Sequence, residues 1–450
     1  MIDREFELEL RAWYSADVPI SEMAPATLRA SVAAIPRTVV RPVVMGTSRR
    51  RIVLLAAAAM VGVTLGALLI GGPGEQSTPP PSARATLEST LPTSLRPASA
   101  WRAVGDLGED CTRAALSTAS LGVLLQDGRV LAACGDAKAA GGGSAELYDP
   151  VSETWTMTAP MSTPRAGHTV TLLSDGRVLV AGGLEHGALR PATLSSAEIY
   201  DPTTETWSPT GALHAVRANH TATLLPDGRV LVAGGDGPET CVVDACTWPD
   251  TAPAELYDPR SGVWTLPQPM PNSIYNQAAT LLHDGRVLVV GGGNLVGWRT
   301  SEIFDPAGEA WSQTGDMIQM RAGPSLILLP TGQVLVLGGE LRDYLADPFH
   351  EGELYDPDTG RWRLVDSASF SIFGGTATLL GSGKILVVWG AGARLYDPAA
   401  DTWLTVAGAL PRYQHTAVSL EDGTVLVFGG QDENYTALRS AQVFDPSAVP

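Results

Sequence analysis

Four arginines stand at one equivalent position of a repeated segment, directly before an apolar run: Arg165, Arg217, Arg321 and Arg412. A guanidinium group presents a planar fork of donors that binds a carboxylate through two hydrogen bonds. An acidic peptide or a uronic acid is therefore the ligand chemistry that these residues could serve. The alternative is that each arginine pairs with an acidic side chain of its own repeat, and the residue types alone do not separate the two interpretations.

A second recurring position carries histidine in three copies: His168, His220 and His415. The equivalent residues in three other copies are Gln277, Pro324 and Gly375. Imidazole nitrogens can ligate metals or transfer protons. A position that recurs throughout a repeat nevertheless favours a packing role, so we predict neither a metal site nor a cofactor.

The segment that positions these residues occurs seven times in residues 101–450, at intervals of 40 to 57 residues. Each copy has a tight turn followed by a β-branched run and glycine, as in DGRVLVAGG at 175–183. A strand ending in Asp-Pro follows, as in AEIYDP at 197–202, and then a tryptophan such as Trp207. Asp-Gly between apolar strands indicates a hairpin. The period and these signals predict seven small antiparallel sheets arranged as propeller blades.

The last copy stops before its tryptophan, whereas Trp101 precedes the first copy. We expect the strand at Trp101 to complete the seventh sheet, because closure removes the unpaired ends of such a ring. The predicted fold is all-β, a seven-bladed β-propeller closed by an N-terminal strand.

The run PRAGHTVTLLSDGRVLVAGG at 164–183, followed by AEIYDPTTETW at 197–207, resembles the kelch repeat in its arginine, diglycine, Tyr-Asp-Pro and tryptophan positions. The resemblance covers about residues 101–446. It implies a fold and no particular reaction. In kelch domains that bind peptides, arginines at this position line the central mouth. The resemblance therefore makes the four recurring arginines the expected ligand contacts.

An apolar segment of 21 residues without a charge extends over residues 52–72. At about 1.5 Å per residue, such a helix would cross the hydrocarbon core of a bilayer. Arg49, Arg50 and Arg51 flank its N-terminal end, which places residues 1–51 in the cytoplasm and residues 101–450 outside. Removal of the segment as an export signal is the alternative. Gly62 and Gly66 form a GxxxG pattern through which two such helices could dimerise.

The segments on either side of this span are short. Apolar residues at helical spacing predict a partly helical cytoplasmic segment at 1–51. Its topology resembles that of membrane-bound anti-sigma factors, which implies a cytoplasmic partner, and a solvated arm is the simpler interpretation. Residues 73–100 contain six prolines and are typical of an extended linker.

Loop lengths distinguish the two faces of the predicted ring. With the strands of a blade named a to d from the centre outward, the a-b and c-d turns are short and uniform. The b-c loops range from 2 to 18 residues. Variable loops above a regular scaffold usually carry binding residues. The b-c loops contain aromatic residues that could stack on a sugar, anchor a protein, or pack beneath their own loops: Trp248, Trp298, Tyr344, Phe349 and Tyr435.

All four cysteines fall on this same face. Cys111 and Cys134 lie in the first copy, and Cys241 and Cys246 lie in the third. An even number of cysteines in an exported domain favours disulfides. We predict Cys111–Cys134 and Cys241–Cys246 over the pairings that would join blades 1 and 3.

Charge and missing motifs restrict the function. Residues 101–450 carry 20 basic and 40 acidic side chains, which disfavours nucleic acid as a partner. Galactose oxidase also uses a seven-bladed kelch propeller, but the Tyr-His dipeptide of its copper site is absent from this sequence. The sequence predicts a single-pass, membrane-anchored, extracytoplasmic kelch protein that binds an extracellular protein or glycan and is not an enzyme. The alternatives are a galactose-oxidase-like or other carbohydrate-active enzyme, and an anti-sigma-like signalling protein with the propeller as its sensor.

Overall fold

The computed structural model describes residues 100–108, 121–135, 142–185, 192–238, 240–242, 245–247, 253–272, 276–292, 299–339, 352–365, 372 and 374–449. The chain divides into two compact units, Met1–Arg96 and Pro97–Pro450. The predicted cytoplasmic segment, the predicted membrane span and nearly all of the predicted linker lie outside the described residues. Within the described ranges, no helix has the length and apolar character needed to cross a membrane.

The described residues form 32 strands and one short 3-10 helix. Strand β1 (Trp101–Val104) comes first. Blade 1 follows with β2 (Gly122–Leu124), β3 (Val130–Ala132), β4 (Glu146–Asp149) and β5 (Thr154–Met157). Blade 2 contains β7 (Thr169–Leu172), β8 (Val178–Ala181), β10 (Ala197–Asp201) and β11 (Thr206–Pro209). Two short strands, β6 (Arg165–Ala166) and β9 (Leu184–Glu185), form a separate pair beside it.

Blade 3 contains β12 (Thr221–Leu224), β13 (Val230–Ala233), β16 (Glu255–Asp258) and β17 (Val263–Thr265), with β14 (Thr240–Val242) and β15 (Ala245–Thr247) in its b-c loop. Blade 4 contains β18 (Ala278–Leu281), β19 (Val287–Val290), β20 (Ser301–Asp305) and β21 (Ala310–Gln313). Blade 5 contains β22 (Ser325–Leu328), β23 (Val334–Leu337), β24 (Gly352–Asp356) and β25 (Arg361–Val365).

Blade 6 contains β26 (Thr376–Leu379), β27 (Ile385–Trp389), β28 (Gly392–Asp397) and β29 (Thr402–Val406). Blade 7 contains β30 (Thr416–Ser419), β31 (Val425–Phe428) and β32 (Ala441–Phe444), and the 3-10 helix Pro446–Ala448 follows it.

Each blade is a four-stranded antiparallel meander, and β1 supplies the fourth strand of blade 7 beside β32. The innermost strands touch in a closed cycle that runs β2, β7, β12, β18, β22, β26, β30 and back to β2. The predicted all-β, seven-bladed ring and its closure by the N-terminal strand are therefore confirmed.

The core lies between neighbouring blades rather than within one of them. Every residue of β8 is buried, because a blade packs on a neighbour through each of its two faces. Apolar residues of blade 2, such as Leu179 and Ile199, form one cluster with Val230 and Tyr257 of blade 3. The recurring tryptophan packs in these seams, where Trp207 contacts the cluster of blades 1 and 2 and lies 5.0 Å from Tyr200, centroid to centroid.

Candidate functional site

A ring of left-handed residues surrounds the axial opening on the face of the b-c loops. The residue two positions after the recurring arginine, or after the residue in its place, has a positive φ in six blades: Gly167, Asn219, Asn276, Gly323, Gly374 and Gln414. These residues come just before the innermost strands. Their backbones join successive blades, since Asn219 N donates to Gly167 O at 2.8 Å and Gly323 N donates to Asn276 O at 2.6 Å.

Amide and carboxylate side chains line this opening. Asn219 Nδ2 donates to Asp236 Oδ2 at 2.8 Å, and Gln431 Nε2 donates to Gln414 Oε1 at 3.0 Å. Asp236 and Gln431 each directly follow the diglycine of their blade, so both pairs tie a b-c loop to the start of a strand a. We call Asn219, Asp236, Asn276, Gln414 and Gln431 the mouth ring. Its groups offer neutral donors and acceptors with one carboxylate, which suits a peptide backbone or sugar hydroxyls.

Tyr435 projects from the blade 7 loop next to this ring. Its side chain is 78% exposed and its φ is 60°. The turn that holds it is fixed by Asp432, whose Oδ1 accepts from the N–H groups of Asn434 and Thr436, both at 2.8 Å. These hydrogen bonds, led by the one from Thr436, lower the pKa of the Asp432 carboxyl. An exposed aromatic ring on a hydrogen-bonded turn is a preorganised contact for a ligand.

The other four aromatic candidates, Trp248, Trp298, Tyr344 and Phe349, lie outside the described residues. Tyr435 is thus the one sequence-predicted aromatic whose position the described residues establish. The mouth ring itself was not among the predicted site residues. Three of its members, Asn219, Asn276 and Gln414, stand at a position that holds only glycine, asparagine or glutamine in these six copies, the first two being residue types that tolerate a left-handed φ.

The four recurring arginines are not at the surface, and this corrects their assignment as ligand contacts. Each side chain is fully buried, so none can touch a ligand in this conformation. Arg165 Nη2 donates to Glu198 Oε1 at 2.8 Å, and Arg217 Nη2 donates to Glu255 Oε1 at 2.7 Å. The sequence left open the alternative that an arginine pairs with an acidic side chain of its own repeat. Arg165 and Arg217 form such pairs.

Arg321 follows the same rule, with Nε donating to Glu353 Oε1 at 3.0 Å. A second bond from each arginine reaches the carbonyl of the first glycine of the diglycine, as in Arg321 Nη1 to Gly338 O at 2.7 Å. The arginine therefore ties strand a, the end of strand b and the glutamate of strand c together. These bonds hold the base of the b-c loop in place.

Blades 7 and 4 break this pairing in opposite ways. Arg412 has Gln442 at the glutamate position, and its Nη1 donates to Ser440 O at 2.9 Å, as Arg165 Nη1 does to Ser196 O at 3.0 Å. Burial lowers the pKa of this arginine to about 10. In blade 4, Ile274 occupies the arginine position and leaves Glu302 without a cation. The Oε2 atom of Glu302 is buried without a hydrogen-bond partner, and burial raises the pKa of its carboxyl.

The recurring histidines connect adjacent blades. His168 Nε2 donates to Ala133 O of blade 1 at 2.9 Å, and His220 Nε2 lies 3.0 Å from Thr169 Oγ1 of blade 2. Gln277 makes the equivalent bond in blade 4, from Nε2 to Ala233 O at 2.7 Å. Burial, with a smaller contribution from the neighbouring Arg165 charge, lowers the pKa of His168 to about 3. These contacts fit the packing role that the sequence favoured.

Three of the four cysteines, Cys134, Cys241 and Cys246, fall within the described residues. Cys134 is disulfide-bonded, and its predicted partner Cys111 lies outside the described residues. The backbone register places Cys241 directly opposite Cys246 on β14 and β15. The two pairings stay predictions. Over the described part of the chain, no group of three or more His, Cys, Asp or Glu residues is placed to hold a metal ion.

Comparison with known proteins agrees with this geometry. The Kelch motif model matches residues 164–212. Kelch-like protein 35 of Mus musculus is 25% identical over 304 residues, which are 67% of this chain and 41% of that protein. Kelch-like protein 36 of Bos taurus is 32% identical over 123 residues, which are 27% and 18% of the two chains. The chain spans less than half the length of these curated relatives.

Among solved structures, a fungal alcohol oxidase of the AA5 family in complex with copper superposes with a TM-score of 0.58 and 17% identity, over 73% of this chain and 75% of that one. At this identity the likeness concerns the fold alone. The seven blades make this chain a seven-bladed β-propeller, and its recurring markers, the motif match and the matching relatives support kelch-type repeats. Propellers of this class are typically protein-interaction scaffolds.

Proposed function

We propose that this kelch propeller is a membrane-anchored, extracytoplasmic interaction protein that binds an extracellular ligand through the mouth ring and Tyr435 and catalyses no reaction. The observation that carries the proposal is the mouth ring itself, a set of amide and carboxylate side chains at the axial opening in which Asn219 bonds to Asp236 and Gln431 bonds to Gln414. A protein is the favoured ligand, because the kelch-like relatives belong to a class of interaction scaffolds. A glycan is the second candidate.

The chemistry of the ring suits a polypeptide loop or chain end. Amide groups can donate to a backbone carbonyl and accept from a backbone N–H, so they bind a peptide without selecting its charge. Tyr435 adds an exposed aromatic anchor, the residue type that most often dominates binding energy at interfaces. The buried arginines support this surface from below by holding the loops in place.

The predicted tether completes the proposal. Residues 52–72 anchor the chain in a membrane, and the proline-rich residues 73–100 hold the propeller away from the surface. The predicted disulfides Cys111–Cys134 and Cys241–Cys246 staple the loops of an exported domain. Membrane fractionation of the full chain and of a variant lacking residues 52–72 tests the anchor. An equal distribution of the two proteins would remove this part of the proposal.

Binding is tested by affinity capture from cell-surface protein extracts beside a glycan array, using the full chain and Tyr435→Gly. Glycine accepts a φ near 60° without strain, so this variant removes the ring and keeps the turn. We expect its affinity for the captured ligand to fall about tenfold. Val151→Ala is the matched control, since Val151 is 94% exposed in a c-d turn on the opposite face.

A second variant, Gln414→Gly, removes a mouth-ring amide and keeps the φ of 53°, since three other blades have glycine at this position. Loss of binding in both Tyr435→Gly and Gln414→Gly, with Val151→Ala unchanged, supports the site. Equal binding by all four proteins would place the ligand elsewhere. Copper near one equivalent in the purified chain, or turnover of an array sugar, would favour the carbohydrate-active alternative.

A further inference from the structure

Two kinds of side-chain link join neighbouring blades in several seams on the face of the a-b and c-d turns. The first is the arginine that follows the Asp-Gly turn. Arg129 Nη1 donates to Glu205 Oε1 of the next blade at 2.6 Å. Arg177 Nη2 donates to Pro259 O of the next blade at 3.1 Å. The guanidinium thus covers the outer end of the seam.

The second link joins strand d of one blade to the tyrosine on strand c of the next. The pairs are Thr158 and Tyr200, at 3.2 Å, Thr210 and Tyr257, at 2.6 Å, and Thr314 and Tyr355, at 2.7 Å between hydroxyl oxygens. In these blades the tyrosine hydroxyl points across the seam and fills it.

The seam between blades 5 and 6 has neither link. Gln333 stands at the arginine position and Val365 stands at the threonine position. Tyr396 of blade 6 donates instead to Asp401 Oδ1 of its own blade at 2.9 Å. Its ring stacks on Trp403 at an interplanar angle of 27°, whereas the pair Tyr355 and Trp362 is tilted by 42°. The Tyr396 hydroxyl therefore bonds within blade 6 and does not cross the seam, while its ring packs in the seam beside Leu354 and Val365.

A cavity of about 320 Å³ occupies this seam. Its floor includes Leu335, Leu354 and Val365, all buried. Its walls include Arg363 and Asp397. The volume falls within the range of small-molecule sites, which combine an apolar lining with a few polar groups. The corresponding cleft between blades 2 and 3 is lined by Asp, Arg, Ser, Gly and Pro residues and has no leucine.

The two charged side chains on the cavity walls, Arg363 and Asp397, have polar atoms that can bind a ligand. Arg363 is exposed and forms no hydrogen bond or ion pair with the described residues. Asp397 uses its Oδ1 atom to accept from Ala399 N and Ala400 N, at 3.0 and 3.2 Å, which leaves Oδ2 for a ligand. A cation and a carboxylate on the walls of one apolar cavity complement a molecule that bears both charges.

We propose that the blade 5–6 cavity binds a small zwitterion with an apolar side chain, that is, an apolar α-amino acid. Arg363 binds the carboxylate of the ligand, Asp397 binds its ammonium group, and the leucine floor takes the side chain. This site lies on the face opposite the mouth ring. It is therefore independent of the proposed interaction function, and each can fail without the other.

Thermal unfolding of the full chain, with isothermal titration calorimetry, tests the ligand chemistry. The probes are L-leucine, 4-methylpentanoate, which lacks the ammonium group, 3-methylbutylamine, which lacks the carboxylate, and glycine, which lacks the apolar side chain. We expect L-leucine to raise the unfolding midpoint at saturation and each of the other three to bind at least tenfold more weakly. No shift with L-leucine, or equal affinity for 4-methylpentanoate, would overturn the proposal.

Two substitutions test the location. Gln333→Arg introduces the residue that blades 1 to 4 carry at this position, so we expect it to fold, fill the mouth of the cavity and abolish the response to L-leucine. Lys384→Arg makes the matched change at the same repeat position of blade 6 and should keep the response. The Arg363 side chain is exposed, so Arg363→Gln should fold. Because it removes the guanidinium that binds the carboxylate, it should weaken L-leucine binding about tenfold. A response that persists in Gln333→Arg and Arg363→Gln would place the ligand elsewhere.

Discussion

The Trp101 ring packs on the Phe444 ring with centroids 5.0 Å apart, and the two residues lie opposite each other in the register of β1 and β32. This contact joins the first described strand to the last and closes the propeller. Trp101 is buried beside Val427 and Leu395 in the seam between blades 6 and 7. This aromatic pair and four residues of backbone pairing therefore contribute to ring closure.

Trp101→Ala should lower the free energy of unfolding by about 3 kcal/mol, because it leaves a cavity in a buried seam and weakens closure. Urea denaturation followed by circular dichroism measures the change. Val151→Ala is the control and should stay within about 0.5 kcal/mol of the wild type. A loss below about 1 kcal/mol for Trp101→Ala would show that β1 is dispensable for closure.

Glu302→Gln should raise the unfolding midpoint at pH 7 by about 2 °C. Burial raises the pKa of Glu302 above its ordinary value of 4.5, so the folded state binds a proton more tightly than the unfolded state. Stability therefore falls as pH rises from 4.5 through the folded pKa, and the neutral glutamine avoids that loss. Blade 7 already uses glutamine at this position, where Gln442 Oε1 accepts from Leu410 N at 2.8 Å.

Thermal melts at pH 7 and pH 4 measure this effect. The gain from Glu302→Gln should disappear at pH 4, where the native carboxyl is protonated. Glu255→Gln is the matched control and should destabilise the protein at pH 7, because it removes the charge that faces Arg217. A destabilised Glu302→Gln at pH 7 would show that the Glu302 carboxylate has an ionic partner.

His168→Gln should make the protein more resistant to acid. The pKa of His168 is about 3 in the folded protein, against an ordinary 6.5, so the unfolded state takes up a proton between these values. Stability is thus lost as pH falls through this window, at up to about 1.4 kcal/mol per pH unit for each such histidine. Gln277 shows that glutamine keeps the bond to the neighbouring blade.

The slope of unfolding free energy against pH between 6 and 4 measures the effect of His168→Gln. We expect the slope to decrease by about 1.4 kcal/mol per pH unit, with little change in stability at pH 8. His283→Gln, in a surface turn, serves as the control. An unchanged slope in His168→Gln would mean that His168 is protonated in the folded state at pH 4.

Non-reducing peptide mapping should find two disulfides, Cys111–Cys134 and Cys241–Cys246. The second pair lies directly opposite in an antiparallel register, the arrangement that two short strands offer for a cross-link. Cross-linked peptides that join the first and third blades would contradict these pairings. Four alkylated thiols would contradict the proposed exported location as well.

The blades were predictable because each copy carries its own local signals. The Asp-Gly turn, the β-branched run and the tryptophan act within about 40 residues, and Gly176 adopts the φ of 87° that its turn requires. The structural role of the four recurring arginines could not be predicted from residue types alone. Glu198 follows Arg165 by 33 positions, and only the antiparallel order of strands a, b and c brings the two together in the interior.

The blade 5–6 cavity could not be predicted from the sequence for a related reason. Two of its lining residues, Gln333 and Val365, are replacements on different strands that meet in one seam. Each alone is an ordinary variation of the repeat. Asn219, Asn276 and Gln414 of the mouth ring had a clearer signal, a position restricted to Gly, Asn and Gln, but the left-handed backbone there is accompanied by inter-blade bonds that no single copy shows.

Closure by β1 also sets an order of events during synthesis. Arg439 Nε donates to Leu107 O across 332 positions of sequence, so the first strand leaves the ribosome long before its partner exists. Blades 1 to 6 can fold in turn as they emerge from the ribosome, while β1 stays unpaired until β32 has been made. A chain refolded from denaturant has all its strands available at once, and β1 can then pair in any order. Newly made and refolded chains should therefore differ in the step that closes the ring.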